Sequence, residues 1–346
     1  MRTVKNSLIV AIAFTALAAP NAFAAKPGDR GKILFESEDG GVCYEADVKE
    51  ADQWLDKMEA VEKAGKIKEA FDMAAGSEPN CLYNENADDR IFAVVERTYK
   101  KLGQQAEKAG RIYEAHKYYI YPYDIYYRRS EMYRERMKKY YSLADANRTM
   151  LAYAKTNRDD YKVVEEAINY YKSVDDGGAP PQLKEVYGLA MSGGDKLLAK
   201  EDKDFTAHKY KLAFDDLKEA RRWFGLTDDV SRAEARAKQR GEALLAEESY
   251  NSVERAFNYY FDFQSLKLDA ARARAAKLGD AAERRGDLEL ASRFYGLAGE
   301  DAKLNAVNEK MTTMEEQKEK KKEQAEAKRQ EQFKKDQKSL EDELGF

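Results

Sequence analysis

The stretch Arg272–Lys303, RARAAKLGDAAERRGDLELASRFYGLAGEDAK, constrains this chain more than any other. Leu278, Gly279, Ala282, Gly286, Ala291, Tyr295 and Ala298 fall at offsets that suit two antiparallel helices joined by a short turn. Small residues on facing stripes let two helix backbones approach closely, and a glycine between the runs suits the turn. A unit of this kind leaves one apolar face uncovered, so it needs neighbours of its own kind.

Neighbours are present. From Glu96 on, Tyr99, Leu102, Gly103, Ala106, Gly110, Ala115 and Tyr119 repeat the same offsets. From Ala51 on, Trp54, Val61, Gly65 and Ala70 fit, with Met58 where a small residue is expected. The tetrapeptide Ala115-His116-Lys117-Tyr118 returns as Ala207-His208-Lys209-Tyr210, and weaker copies centre on Ala167 and Ala256. The anchoring alanines are then Ala70, Ala115, Ala167, Ala207, Ala256 and Ala291, irregularly spaced. The pattern resembles the tetratricopeptide repeat, a helix–turn–helix unit of about 34 residues. The resemblance covers about half of the chain and is most specific around Glu96 and Arg272. It implies an all-α fold, a right-handed tetratricopeptide-like solenoid of helical hairpins whose surface holds other molecules and carries no chemistry of its own.

Composition agrees with an all-α chain. Six prolines and 20 glycines are few for 346 residues. The one strand signal is Ile33–Phe35 with Val42–Tyr44, a short hairpin around Asp39-Gly40. Asp175 to Pro181 stops a helix at its double proline, and Ser192-Gly193-Gly194 reads as a second soft spot. The expected organisation is a signal peptide over 1–24, an extended segment over 25–45, helical repeats over 46–175 and 182–304, and a charged helical tail over 305–346.

The signal peptide is expected from Arg2 and Lys5, the uncharged run Leu8–Ala19 and the cleavage site Ala22-Phe23-Ala24. Cleavage would take the formal charge from −4 to about −6 and predicts a periplasmic protein. After it, no transmembrane span is expected. Export would make the only two cysteines, Cys43 and Cys81, a disulfide that clamps the first helical hairpin. A redox-active pair is the other reading, but the spacing is not C-x-x-C.

The tail is rich in Glu, Lys and Gln, with pairs such as Glu316/Lys320 and Glu331/Lys335 at the spacing that supports an exposed helix. Straight, it would reach about 60 Å at about 1.5 Å per residue. Two readings stand: a solvated helix, or an arm that docks through Leu340, Leu344 and Phe346.

Tyrosine, at 23 residues, is the anomaly of composition, and it concentrates between Tyr113 and Tyr141. On a helix Tyr126, Tyr133 and Tyr140 share one stripe, with Tyr127 and Tyr141 on the next. Three readings are open: packing in helix seams, a groove for a protein partner, and a platform for a glycan such as peptidoglycan. The candidate partner-binding residues are Tyr119, Tyr123, Tyr126, Tyr127, Arg129, Tyr133, Arg136 and Tyr140.

No enzyme, metal site or cofactor is expected. The two histidines, His116 and His208, occupy equivalent places in the repeated tetrapeptide, without cysteine ligands near them. Asp175-Asp176 and Asp228-Asp229 read as caps and turns. The acidic balance argues against nucleic acid. The function expected is a periplasmic scaffold or adaptor that binds a protein of the cell envelope; the alternative is a peptidoglycan-binding wall protein that uses the same aromatic surface.

Overall fold

The computed structural model describes residues 30–36, 42–76, 79, 81–82, 85–124, 131–174, 180–263 and 267–344. It is all-α, a helical-repeat fold of 14 helices with one short antiparallel hairpin among the described residues. The chain divides into two compact units, up to Tyr153 and from Ala154 onward.

The first unit opens with β1 (Ile33–Glu36) and β2 (Val42–Tyr44), then carries α1 (Glu45–Lys63), α2 (Ile67–Ala75), α3 (Glu85–Lys108), α4 (Ile112–Pro122), α5 (Glu131–Met137) and α6 (Ala144–Thr156). The predicted strand pair is present, joined through Ile33↔Tyr44 and Glu36↔Val42; Asp39-Gly40 lies outside the described residues. Cys43, on β2 just before α1, and Cys81, after α2, form a disulfide with Cα atoms 5.6 Å apart. Sequence order brings them together as expected, because α2 runs back along α1. The expected signal peptide lies outside the described residues, and no described helix is long and apolar enough to cross a membrane.

The second unit holds α7 (Tyr161–Ser173), α8 (Pro181–Thr206), α9 (Tyr210–Gly225), α10 (Ser231–Ala246), α11 (Tyr250–Asp262), α12 (Leu268–Arg284), α13 (Leu288–Ala298) and α14 (Asp301–Leu344). Pro181 is the first residue of α8, where its missing amide costs nothing. α7 and α8 pack on each other across this break. Asp160, Ser249 and Asp287 cap α7, α11 and α13 with side-chain oxygens. Leu217, Phe224, Val253, Phe257 and Phe294 anchor the core.

Four hairpins close on one backbone turn. The residue after the first helix's cap has positive φ at Gly65 (80°), Gly110 (72°), His208 (58°) and Gly286 (77°). The next amide reaches back five residues, from Lys66 to Val61 O (3.2 Å), Arg111 to Ala106 O (2.9 Å), Lys209 to Asp204 O (2.8 Å) and Asp287 to Ala282 O (3.0 Å). This bond satisfies carbonyls that a helix end would otherwise leave orphaned. Four residues past each of these amides stands a fully buried alanine: Ala70, Ala115, Ala213 and Ala291.

That register corrects one sequence reading. His208 holds the place of Gly110, so the second tetrapeptide is not equivalent to the first. His116 lies inside α4, whereas His208 lies in a turn, and the packing alanine of α9 is Ala213, not Ala207. The seam glycines correct another. Ser192-Gly193-Gly194 lies mid-way along the unbroken α8. A Cβ on Gly193 would come within 2.4 Å of the Trp223 ring, and one on Gly194 within 2.6 Å of Phe224. Glycine weakens a helix interior by about 1 kcal/mol, but here the bare backbone seats two aromatic rings.

Gly103 and Gly279 do the same for Tyr119 and Tyr295, at 2.3 and 2.7 Å from a hypothetical Cβ. Both glycines stand seven residues before the turn, and both tyrosines sixteen residues further on. The same register positions hold Met58 and Ala74 in α1–α2, and Glu201 and Leu217 in α8–α9, all buried. Met58 is tolerated because a small residue, Ala74, stands opposite in register. Large and small exchange sides while the seam stays filled.

Ion pairs join each of these hairpins to a later helix. In the first unit Glu62 pairs with Arg97 (2.7 Å) and Glu107 with Arg148 (2.7 Å). In the second, Asp195 pairs with Arg232 (2.8 Å), buried Glu201 with Arg240 (2.8 Å) and Glu283 with Lys310 (2.6 Å).

Candidate functional site

The tyrosines singled out from the sequence divide by burial. Tyr119 and Tyr123 are buried. Tyr119 fills the Gly103 seat and bonds to Glu107, whose carboxyl is held below its usual range by Arg148 first and by that hydroxyl as well. Tyr99 meets Tyr119 edge-on, and Tyr141 packs against both Tyr99 and Tyr123. α5 ends at Met137, so Tyr140 sits in a turn and does not continue a helical stripe with Tyr133. Its ring leans on Phe92 at 6.1 Å, with Lys139 Nζ 4.9 Å above it.

Arg136 pairs with Asp88 of α3, whose carboxyl burial pushes up and Arg136 pulls down. Tyr126, Tyr127 and Arg129 lie outside the described residues. So does the side chain of Tyr133, on α5. The described members of the set therefore pack into or against α3 and α4. In the tail, Leu340 and Leu344 belong to α14, but their side chains lie outside the described residues, as does Phe346. The docked part of α14 is its start: Val307 is fully buried among Leu288, Leu304 and Met311. Val307 was missed in the sequence because it sits alone among polar residues, yet it is three residues from Leu304 and four from Met311.

A different aromatic surface crosses the first unit. Phe71 of α2 meets Tyr118 (5.9 Å between ring centroids) and Tyr121 (5.0 Å) of α4. Further back on α4, Tyr113 stacks on Tyr153 of α6, with centroids 4.7 Å apart and planes at 26°. Lys117, exposed between the two groups, holds its Nζ 4.5 Å from the Tyr113 centroid. Tyr113, Lys117 and Tyr121 step by four along one side of α4. Tyr113, Tyr118, Tyr121 and Tyr153 are each half-buried. Tyr121 donates to the Ala75 carbonyl at the end of α2 (3.1 Å). The rings thus form a strip from α2 across α4 to α6. Sequence reasoning missed it because the Tyr113–Tyr153 contact joins helices distant in the chain.

Other polar groups have structural partners. His116 donates from Nδ1 to the Ala146 carbonyl (3.1 Å), and burial pushes its imidazole down to about 4. His208 Nδ1 lies 2.8 Å from the Tyr210 hydroxyl. Asp229 accepts from the Ser231 amide (3.0 Å) at the start of α10. Among the described residues no three His, Cys, Asp or Glu side chains group as a metal site. A cleft of about 470 Å³ is lined by Lys218, Arg221, Arg222, Val230, Asp262 and Phe263. Its cations, all on α9, are paired to Asp262 (2.9 Å), Glu234 (2.8 Å) and Glu219 (2.8 Å).

The sequence matches no family model and no curated protein. Any reading of function therefore rests on the chain's own residues.

Proposed function

We propose that the chain is a non-catalytic scaffold of the cell envelope that binds a protein partner along the Phe71–Tyr118–Tyr121–Tyr113–Tyr153 strip. The observation that carries this reading is four half-buried tyrosine rings with an exposed lysine among them, brought together from α4 and α6. Tyrosine presents a rigid, amphipathic surface at low entropic cost, and such rings are preferred anchors in protein interfaces. Export to the periplasm is part of the proposal. It is supported by the Cys43–Cys81 disulfide, which suits an oxidising compartment, and by the leader-like start of the sequence.

The test is site-specific photo-crosslinking in living cells from position 117. A single defined envelope protein should be captured, and capture should fail in the Tyr113→Ala/Tyr153→Ala variant at unchanged helix content. Equal capture with and without the two rings would contradict the proposal. Loss of sedimentation with purified peptidoglycan in the same variant, without a captured protein, would favour the wall-binding alternative.

A further inference from the structure

The docking stripe of α14 changes character along its length. Leu304, Val307, Met311 and Met314 follow one another at alternating three- and four-residue steps, and the first three pack against α12 and α13. The same stripe runs on as Lys318, Lys321, Ala325, Lys328, Gln332 and Lys335, flanked by Lys322 and Arg329. At about 100° per residue the six cations fall within a sector of about 140°. From Gln317 to Lys335 that sector holds no carboxylate, and Asp336 enters it one residue on; Glu309, Glu316, Glu319 and Glu323 lie on the other side, with Glu326 and Glu331 about 40° past its two edges. All six cations are exposed, and among the described residues only Lys335 is ion-paired, to Glu331 at 2.9 Å.

We propose that this face of α14 lies on an anionic phospholipid surface. The row of cations spans about 25 Å of straight helix at about 1.5 Å per residue. Between Gln317 and Lys335 the sector itself holds no large apolar side chain to fill a protein pocket, which is what holds a stable protein interface together; exposed Phe333 stands about 20° past its edge. Exposed ion pairs taken one at a time contribute little. A lipid surface needs no apolar anchor: it meets all six cations at once, and each adds to the attraction. The nearest carboxylates of that stretch, Glu326 and Glu331, stand about 40° beyond either edge of the sector and point away from a surface that meets its middle. The surface therefore senses mainly the basic face.

Flotation of the full chain with vesicles tests this. Phosphatidylglycerol–phosphatidylcholine vesicles should carry the protein at low salt, and pure phosphatidylcholine vesicles should not. Changing Lys318, Lys321, Lys322, Lys328, Arg329 and Lys335 to Gln should cut binding about tenfold or more, with helix content held because Gln is a good helix former. Lys320→Gln/Lys334→Gln, on the other side, should bind as the parent does. Equal binding to neutral vesicles, undiminished binding by the six-fold variant, or binding to a soluble polyanion such as heparin without binding to vesicles would overturn the proposal.

Discussion

Gly103 has no room for a methyl group: a Cβ there would stand 2.3 Å from the Tyr119 ring. Gly103→Ala should therefore destabilise the first unit by about 2 kcal/mol, the usual range for overpacking. Adding Tyr119→Leu should recover part of the loss, because Glu201 and Met58 show that this register accepts a side chain when the residue opposite is smaller. Urea denaturation of the single and double variants checks the coupling, and additive losses would contradict it. His208 carries the opposite error, a side chain where three sister turns use glycine, at φ 58°. His208→Gly should stabilise its hairpin by about 1 kcal/mol; its exposed contact with Tyr210 is a small loss. A lower denaturation midpoint would refute this. At His116 the sign is fixed by burial. In the unfolded chain this histidine takes up a proton near the ordinary value of 6.5, but in the folded chain only near about 4. Stability is then unaffected at high pH and falls by up to about 3 kcal/mol as pH drops from about 6.5 to 4. His116→Asn should flatten the profile in that window; an unchanged slope would count against this account.

At the level of elements, the hairpins were readable wherever the turn glycine, the buried alanine and the seam glycine occur together. Gly110, Ala115 and Gly103 give one such unit, and Gly286, Ala291 and Gly279 the other. α8–α9 escaped because His208 takes the turn position and Glu201 the seam position, so the repeated letters Ala-His-Lys-Tyr drew attention to the wrong register. The strip escaped for another reason: Tyr113 and Tyr153 meet only after α4 and α6 are packed, and no spacing along the chain encodes that. The disulfide was legible because order along the chain was enough to bring Cys43 and Cys81 together. Its two cysteines are separated by 38 residues, and closing such a loop stabilises by about 4 kcal/mol in the chain-entropy model. Reduction should speed proteolysis within α1 and α2 while leaving cleavage in α12 and α13 unchanged. Equal acceleration in both would contradict a local clamp.

At the level of the whole molecule, stability resides in seams between neighbouring helices, and the long last helix borrows it only where it is docked. Val307 is fully buried, whereas every described side chain of α14 from Thr312 to Asp336 is exposed. Protection from hydrogen exchange should follow this division. The most direct test is residue-resolved amide exchange on the full chain. Tyr119, Phe224 and Tyr295, whose rings sit on glycines, should lie in the slowest segments, and α14 beyond Gln317 in the fastest. Slow exchange throughout α14, or no extra protection at the glycine-seated rings, would contradict the account.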